Sequence, residues 1–480
     1  MKYGDYEIHK VGSAAYEIPP QGGMRVPGRV YATEKLFDLL CRDNALQQVI
    51  NVAHLPGIIG YSLAMPDIHW GYGFPIGGVA AFDLDKGVIS PGGVGYDINC
   101  GVRLMSSTLS REDVAPHIRR LVEAIYRLVP SGVGTGGPLK VGAHKLNQVF
   151  SDGARWAVRE GYGSQRDLAH IEEGGCIAGA DPHEVSDRAR KRGSGQLGTL
   201  GSGNHFVEIG YVDRVYLPNA AKRMGLADGT VTVIVHTGSR GCGHQICTDT
   251  LKVLQKASRH YGIELPDRQL AAAPIGSPEG QAYLKAMRCA VNYAFANRQV
   301  IGQRIREAFR ETLGGKDHKL EVVYEVAHNI AKIEKHNVDG KPRKVCVHRK
   351  GATRAFGPSR TEIPDDYREI GQPVLIPGDM GRYSYVLVGT DAALDETWGS
   401  TCHGAGRQQS RKQAKRKAKG RNLMRELEET GVYVRASSMA TVAEEMPEAY
   451  KDVASVVEAV EQAGISKIVA RLRPLGCVKG

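Results

Sequence analysis

Carboxylate, thiolate and imidazole side chains recur in short glycine-rich segments of this chain. The segment 92–101 (GGVGYDINCG) places Asp97 and Cys100 three residues apart, and three later segments each carry one histidine: His205, His236 and His328. Imidazole suits zinc, iron and nickel, and carboxylate suits manganese or magnesium, while a thiolate sulfur can bridge two ions. A pair of ions suits phosphoryl chemistry, because together they stabilise the attacking and leaving oxygens.

A structural role is the alternative for each of these histidines. The chain contains 16 histidines, and any one of the three taken alone is better explained as a structural residue. Their long spacing also differs from that of a compact zinc finger. From chemistry alone, the residues suggest a metal site without establishing it.

A further histidine lies in the glycine-flanked segment 398–407 (WGSTCHGAGR), which contains His403. Such a residue acts as a general base, a metal ligand or a nucleophile, and as a nucleophile it would form a phosphoramidate. The alternative is a loop histidine that only donates a hydrogen bond to a phosphate.

A basic helix is predicted from about Gln408 to Glu429, with its N-terminus against the His403 loop, where helix dipole and glycine amides favour phosphate. Its cations predict contact with a phosphate backbone, although charge runs are usually solvated faces. These cations are Arg411, Lys412, Lys415, Arg416, Lys417 and Lys419.

Two nucleotide-binding motifs are missing from the sequence. There is no G-x-x-x-x-G-K-[ST] loop, and no Lys-x-Asp-Gly motif of the kind used by ligases that nucleotidylate a lysine. The nearest segment, 337–340 (NVDG), lacks the lysine. A nucleotidyl-transfer enzyme built on this chain would therefore need another nucleophile.

The bulk composition is that of a basic globular protein. The 480 residues carry a net charge of +11, which predicts a polyanionic partner such as nucleic acid or a nucleotide. Nine scattered cysteines, with no signal peptide after the start MKYGDYEIHK, favour reduced thiols and a cytoplasmic location. No window of about 18 apolar residues occurs, so no membrane association is expected.

Apolar runs predict strands that deliver polar loops at their ends. Strands are predicted at 231–235 before His236, at 320–326 before His328, at 345–347 and at 374–376. Helices are predicted from Ser277-Pro278, where serine is the cap and proline takes the first helical position, and near 453–463. The mixture indicates an α/β or α+β fold.

Motifs along nearly the whole chain resemble the RtcB family of RNA-splicing ligases. The resemblance implies a mixed α/β (α+β) fold with a central β-sandwich of mixed sheets surrounded by helices, and one catalytic domain over residues 1–480. The motifs are GGVGYDINCG, LGTLGSGNHFVE, VHTGSRG, AHN, PGDMGRYSY, STCHGAGR and the final Lys479-Gly480.

The resemblance also implies a role for individual residues. Asp97, Cys100 and His205 would hold one Mn²⁺ ion and Cys100, His236 and His328 a second, and His403 would carry GMP from the co-substrate GTP. Glu208 would read guanine, and Tyr450 would stack near the base. The implied GTP and GMP contacts are Asn204, His205, Phe206, Val207, Glu208, His328, Asn329, Pro377, Gly378, Asp379, Met380, Ser384, His403, Gly404, Ala405, Gly406 and Lys479. The implied RNA contacts are Arg192, Arg240, Lys350 and Arg411.

The implied activity is GTP-dependent joining of RNA 2′,3′-cyclic phosphate or 3′-phosphate ends to 5′-hydroxyl ends, in tRNA splicing and RNA repair. The expected partners are tRNA halves, other cleaved RNA ends and the activator archease, and the expected oligomeric state is a monomer. The ligand set alone does not separate manganese from zinc or cobalt. Two other hypotheses remain at this point: a GTP-independent two-metal phosphodiesterase or phosphatase, and a non-catalytic RNA-binding or chaperone protein.

Overall fold

The computed structural model describes residues 1–41, 43–314 and 319–480. Helices and strands alternate along the chain, so the fold is mixed α/β. The helices are α1 (Glu34–Leu40), α2 (Ala45–Val52), α3 (Arg111–Val114), α4 (Ile118–Leu128), α5 (Ala143–Asp152), α6 (Ala154–Arg159), α7 (Gln165–Ala169), α8 (Asp187–Gly193), α9 (Pro218–Arg223), α10 (Arg240–His260), α11 (Pro278–Leu313), α12 (Ala392–Thr397), α13 (Arg411–Lys417), α14 (Leu423–Glu429), α15 (Met439–Glu444) and α16 (Val453–Gln462).

Most strands belong to two large sheets, described below. The strands are β1 (Lys2–Tyr3), β2 (Tyr6–Glu7), β3 (His9–Gly12), β4 (Ala15–Ile18), β5 (Gly28–Tyr31), β6 (Ile58–His69), β7 (Ile76–Asp83), β8 (Val88–Ile89), β9 (Gly101–Ser110), β10 (Phe206–Val215), β11 (Thr230–Thr237), β12 (Ala273–Pro274), β13 (Leu320–Ala327), β14 (Asn329–Val338), β15 (Lys341–Lys350), β16 (Thr353–Arg354), β17 (Pro373–Ile376), β18 (Ser384–Gly389), β19 (Ser400–Thr401), β20 (Tyr433–Ala436) and β21 (Ser466–Lys479).

The first sheet has the order β13-β9-β11-β10-β21-β18-β17, with β20 parallel to β21 and the other pairs antiparallel. The interior strand β11 is buried from Val231 onward, as its continuous apolar run predicts. The second sheet has the order β14-β15-β7-β6-β5-β4-β3. One residue, His328, joins β13 of the first sheet to β14 of the second, so the chain passes from sheet to sheet at a predicted metal ligand.

The two sheets share one apolar cluster. Val374 and Leu387 of the first sheet and Leu63 and Val79 of the second are buried together in it, with Val456 of α16. This shared core fixes the second sheet, and the loops at its edge, relative to the first.

The longest helix, α11, has 36 residues and is about 54 Å long at 1.5 Å per residue. Its start follows the prediction: the side chain of Ser277 accepts a hydrogen bond from the backbone N–H of Gly280, and Pro278 occupies the first turn. Apolar residues of the helix, including Leu284, Val291 and Phe309, are buried. The helix runs beneath the first sheet and brings polar side chains to the ends of its strands.

The other element predictions are confirmed with one exception. The four predicted strands lie within β11, β13, β15 and β17, and the last predicted helix is α16. The prediction of one helix over 408–429 is wrong, because the segment forms two short helices, α13 and α14. Gly420 between them has a φ of +83°, outside the helical region, and the side chain of Asn422 starts α14 by accepting from the N–H of Arg425.

None of the helices in the described parts of the chain combines the length and the apolar character that crossing a bilayer requires. All nine cysteines are free thiols, as the sequence predicts.

Candidate metal and nucleotide site

The five predicted metal ligands meet because they lie at the same end of neighbouring strands. Antiparallel pairing of β9 and β11 places Val102 opposite His236, and pairing of β10 and β11 places Phe206 opposite His236. On the other side of β9, Gly101 pairs with Ala327. Asp97 and Cys100 precede β9, His205 precedes β10, and His328 follows β13, so strand order converts distant sequence positions into one cluster.

Two groups of three ligand atoms result. Asp97, Cys100 and His205 form one, and Cys100, His236 and His328 form the other, with all ligand atoms of each group within 4.8 Å of one another. The Cys100 sulfur belongs to both groups.

The donor separations fit tetrahedral coordination. The Cys100 Sγ lies 3.4 Å from Nε2 of His205 and 3.3 Å from Nε2 of His236. The Nε2 atoms of His236 and His328 lie 3.3 Å apart. Metal bonds of about 2.0 to 2.3 Å at tetrahedral angles place neighbouring donors roughly 3.3 to 3.7 Å apart. The Asp97 Oδ2 to His205 Nε2 distance of 2.8 Å is instead that of a hydrogen bond.

Protonation states at the cluster suit cation binding. Burial lowers the pKa of His236 and His328 well below the usual value, with nearby histidines adding to the effect, so both imidazoles are neutral. Burial opposes ionisation of Asp97, but His205 outweighs it and lowers the Asp97 pKa to about 2. Burial and Asp97 raise the pKa of the Cys100 thiol, and a bound cation is what would favour its thiolate. The Nδ1 atom of His205 lies 3.1 Å from the carbonyl oxygen of Leu200, an arrangement that directs Nε2 to a metal.

A buried arginine connects the segments that carry these ligands. Arg298 of α11 donates to the carbonyl oxygens of Asn99 (2.7 Å) and Thr237 (2.8 Å) and to Glu325 (2.8 Å). Asn99 has a φ of +53°, a conformation that costs energy for a residue with a side chain, and its amide donates to the carbonyl of Val291 at 2.7 Å. Arg298 thereby holds the Asp97–Cys100 loop, the end of β11 and strand β13 in one arrangement.

His403 lies beside the cluster, with its ring centroid 4.8 Å from that of His328. Its Nδ1 is 2.5 Å from Oδ2 of Asp67, and the same oxygen accepts the backbone N–H groups of His403 (3.0 Å) and Gly404 (3.3 Å). Asp67 lies in a bulge of β6, between the paired residues Ala64 and His69. The bulge turns the carboxylate toward the His403 loop.

The predicted helix N-terminus at this loop is wrong. Helix α13 begins at Arg411, after the loop, and the backbone N–H groups of His403 and Gly404 donate to Asp67. Close packing explains the glycine at 406: a Cβ there would lie 2.2 Å from the carbonyl oxygen of Asp67.

A cavity of about 420 Å³ opens onto His403 and the metal cluster. We call it the nucleotide cavity, after the contacts predicted for it. Fourteen of the seventeen predicted nucleotide contacts line it: Asn204, Phe206, Glu208, His328, Asn329, Pro377, Gly378, Asp379, Met380, His403, Gly404, Ala405, Gly406 and Lys479. Tyr450 lines it as well. The other three predicted contacts lie just outside. His205 faces the neighbouring groove, Val207 packs in the apolar cluster on the opposite face of β10, and the Ser384 hydroxyl accepts the N–H of Gly378 at 3.2 Å.

A buried carboxyl group stands at one wall of this cavity. Glu208 Oε1 lies 3.5 Å from the Ser384 hydroxyl. Burial and the nearby Asp379 raise its pKa to about 8, although Ser384 and Lys479 act in the opposite direction. Burial and Asp379 therefore favour the neutral, protonated carboxyl of Glu208 at neutral pH.

A second, larger groove of about 1060 Å³ borders the first cavity and shares Asp97, Asn204 and Arg411 with it. We call it the basic groove. Three of the four predicted RNA contacts, Arg192, Arg240 and Arg411, line this groove. The fourth, Lys350, lines the nucleotide cavity instead and is 5% exposed. Its Nζ donates to the carbonyl oxygens of Tyr72 and Phe74, and burial lowers its pKa to about 7.

Sequence reasoning missed several groups around His403. Asp67 is the main one, and its signal was available, because it sits at the polar end of an apolar strand like the other site residues. Lys451 is buried and donates to the carbonyl oxygens of Pro66 (3.2 Å) and Ile68 (2.5 Å), on either side of Asp67. Arg407 donates to Glu445 and to the hydroxyl of Tyr450, both at 3.3 Å, which fixes the ring of Tyr450 at the cavity wall.

Comparison with known proteins gives a consistent family. The family model described as "tRNA-splicing ligase RtcB" matches residues 48–480. A protein of Archaeoglobus fulgidus called "tRNA-splicing ligase RtcB" is 57% identical over 477 residues, covering 98% of this chain and 99% of the relative. A protein of the same description from Thermococcus kodakarensis is 55% identical, with 98% and 99% covered. A protein of Mycobacterium tuberculosis called "RNA-splicing ligase RtcB" is 53% identical, with 90% and 100% covered.

Proposed function

Because the chain belongs to the RtcB family of tRNA-splicing ligases, it acts as an RNA ligase, and we propose that it does so through a guanylylated histidine, His403. The observation that carries this proposal is the contact of Asp67 with Nδ1 of His403. A carboxylate at Nδ1 keeps the proton on that nitrogen and leaves the lone pair on Nε2. Nε2 is then the atom available to attack a phosphorus.

The contact with Asp67 also sets the charge of the nucleophile's surroundings. Although burial opposes ionisation of Asp67, the neighbouring His403 lowers its pKa below the usual value. An ionised Asp67 stabilises the positive imidazole that develops as Nε2 forms a bond to phosphorus. Lys451, bonded to both sides of the bulge, keeps this carboxylate in place.

The two ligand groups around Cys100 would hold the pair of Mn²⁺ ions, with Asp97 and His205 at one ion and His236 and His328 at the other. When bound, such ions neutralise phosphate charge as Lewis acids and stabilise the departing pyrophosphate. The fit rests on the shared thiolate, the neutral imidazoles and the donor separations described above.

The proposed reaction has two transfers and a joining step, preceded by hydrolysis of any 2′,3′-cyclic phosphate to a 3′-phosphate. Nε2 of His403 attacks the α-phosphorus of GTP, and pyrophosphate leaves. An oxygen of the RNA 3′-phosphate then attacks the same phosphorus, which breaks the P–N bond and makes an RNA(3′)pp(5′)G end. Finally, the 5′-hydroxyl of the second RNA attacks the RNA phosphorus, loses its proton and displaces GMP.

We assign guanine recognition to Glu208. Guanine presents two adjacent N–H donors, at N1 and N2, and a carboxylate accepts both, whereas adenine has no such pair. Glu208 lines the cavity that contains His403. This arrangement supports GTP over ATP as the co-substrate, with Tyr450 and Phe206 as aromatic walls of the same cavity.

The basic groove supports RNA binding next to the metal cluster. Arg192, Arg240 and Arg411 present guanidinium groups along it, and guanidinium groups bind phosphates through paired N–H donors. tRNA halves and other cleaved RNA ends are the proposed substrates. We further propose that archease activates the protein and that the protein is a monomer with one catalytic domain. We also propose that the two large sheets pack face to face as a β-sandwich, which their shared apolar cluster supports.

The test is to incubate the protein with α-labelled GTP and Mn²⁺ and to look for acid-labile, base-stable label on the protein. His403→Gln should abolish both labelling and joining of 3′-phosphate to 5′-hydroxyl RNA, while exposed His183→Gln should change neither. Labelling and joining that persist in His403→Gln would refute the nucleophile. RNA ends consumed equally with and without GTP, with no joined product, would instead indicate a two-metal hydrolase.

A further inference from the structure

Three aromatic rings that the proposed reaction does not use form a row beside the metal cluster. The ring centroids of Tyr72 and Tyr96 lie 5.5 Å apart, and those of Tyr96 and His244 lie 4.9 Å apart with 30° between the ring planes. Both tyrosines are half-buried and His244 is exposed. We call these three residues the aromatic row.

The aromatic row connects the two cavities. Tyr72 and Tyr96 line the nucleotide cavity together with His403, while His244 lines the basic groove together with Arg192 and Arg240. Asp97, the residue after Tyr96, lines both cavities. The row therefore extends from the cavity that contains His403 to the basic groove.

The hydroxyl groups of Tyr72 and Tyr96 differ from those of buried tyrosines that hold the fold together through hydrogen bonds. Within the described ranges, neither the Tyr72 nor the Tyr96 hydroxyl has a hydrogen-bond partner in the protein, whereas the hydroxyls of Tyr293 and Tyr367 donate to backbone carbonyls at 2.7 and 2.8 Å. The backbone at Tyr72 is held in place, because its carbonyl accepts the Nζ of Lys350. The row thus presents fixed, partly exposed aromatic surface to the cavity.

We propose that the aromatic row is a stacking platform for the terminal nucleobases of the RNA strand that carries the 3′-phosphate. This inference rests on the proposed function. In that reaction, an oxygen of the 3′-phosphate must reach the phosphorus bonded to Nε2 of His403, so the base of the same nucleotide lies within about one nucleotide's length of that phosphorus. Tyr72 and Tyr96 are aromatic residues in the wall of that cavity.

Stacking suits a ligase that joins ends of different sequence. Every nucleobase offers a flat π face, so an aromatic surface binds the base without reading its identity. The arginines of the neighbouring groove contribute charge, which is equally independent of sequence. Together they would hold a single-stranded end in place while leaving the sequence free.

The experiment uses the Mn²⁺-loaded protein without GTP, so that bound RNA is not joined. The probe is a short RNA 3′-phosphate whose last base is 2-aminopurine, the fluorescence of which falls when the base stacks. We expect quenching with the wild-type protein and with Tyr96→Phe, and loss of quenching with Tyr96→Ala and Tyr72→Ala. The Kd of the RNA should rise about tenfold in the alanine variants, as for loss of one stacked base.

Tyr261→Ala is the matched control. Tyr261 follows the C-terminal end of α10, whose N-terminus at Arg240 lies in the basic groove, and the 21 residues of α10 separate it from the site by about 30 Å. This variant should bind and quench as the wild type does. A second control removes the terminal base: an abasic 3′-phosphate end should weaken binding to the wild type and leave binding to Tyr96→Ala unchanged.

Guanylylation of His403 separates this inference from the proposed function, because it requires GTP and metal but no RNA. Labelling at the wild-type rate shows that an alanine variant is folded and keeps its metal ligands. Equal quenching in the wild type and both labelled alanine variants would overturn the platform. So would quenching seen only when the probe is the first base of the 5′-hydroxyl strand. Failure of the wild type to label would instead overturn the proposed function.

Discussion

Asp67 and His403, 336 positions apart in sequence, make one of the closest polar contacts of the site, with 2.5 Å between Oδ2 and Nδ1. Asp67 also accepts two backbone N–H groups of the His403 loop. One carboxylate therefore sets the position, the orientation and the tautomer of the proposed nucleophile.

Asp67→Asn should slow guanylylation by about 10² to 10⁴-fold, because the amide has no charge to stabilise the developing imidazolium and can favour the wrong tautomer. The rate of label transfer from GTP under single-turnover conditions measures this. Exposed Asp228→Asn serves as the control. A rate within twofold of the wild type for Asp67→Asn would contradict the proposed role.

Arg298→Met should weaken metal binding. The substitution removes the donor to the Asn99 and Thr237 carbonyls and one of the two arginines paired with the buried Glu325, which keeps Arg103. Leaving a buried polar group without its partner costs about 1 to 3 kcal/mol. Thermal melting and Mn²⁺ titration of the purified protein would measure both effects.

The matched control lies on the same helix. Arg306→Met removes an ion pair with Asp167 and a hydrogen bond to the Leu320 carbonyl, at the end of β13 away from His328, but none of the contacts that Arg298 makes. We expect Arg306→Met to lower the melting temperature without changing the affinity for Mn²⁺. Equal metal affinity in the two variants would argue against the positioning role of Arg298.

Removal of the bound metal should abolish guanylylation. The absorption spectrum of the Co²⁺-loaded protein should show whether Cys100 binds the metal as a thiolate. Removal of the ions by a chelator leaves the phosphates of GTP without their counter-charge, and restored Mn²⁺ should restore labelling. Reconstitution with Co²⁺ should give an ultraviolet thiolate-to-cobalt band that Cys100→Ser removes and that half-buried Cys176→Ser retains. A band that survives in Cys100→Ser would exclude Cys100 as a ligand.

Glu208 makes stability depend on pH in a defined direction. Its pKa is raised by burial and Asp379 to about 8 in the folded protein from an ordinary value of 4.5. A raised carboxyl pKa favours the folded state while the group is protonated, so this contribution is complete below about pH 4.5 and is lost as the pH rises through 8. The wild type should therefore lose stability relative to Glu208→Gln between pH 5 and 8.

Melting temperatures of the two proteins over that pH range provide the measurement, with exposed Glu112→Gln as a control that should follow the wild type. Parallel curves for the wild type and Glu208→Gln would show that Glu208 does not titrate in this range. Addition of GTP should release a proton at pH 7 in the wild type only, because the bound guanine stabilises the carboxylate.

The sequence by itself determined the chemistry that is available. Ligand types are a property of the side chains, so Asp97, Cys100 and the three histidines could be proposed as metal ligands without coordinates. Local signals were equally reliable where they depend on neighbours in the chain. Ser277 and Pro278 start α11, and the apolar run after Val231 forms a buried strand. The prediction of one continuous basic helix was wrong because a charge run is a weak local signal. Gly420, with its positive φ, divides the segment into two helices.

Only the tertiary structure decided how these groups meet. The ligands converge because β13, β9, β11 and β10 are neighbours in a fixed antiparallel register, and strand order leaves no local signal in sequence. Burial likewise emerged only on folding, and it moved Lys350 from a proposed surface contact to a cavity wall. Asp67 reaches His403, and Arg298 reaches three separate segments, through hydrogen bonds between residues far apart in the chain. Such contacts depend on the packing of whole sheets and helices, which the spacing of residues does not encode locally.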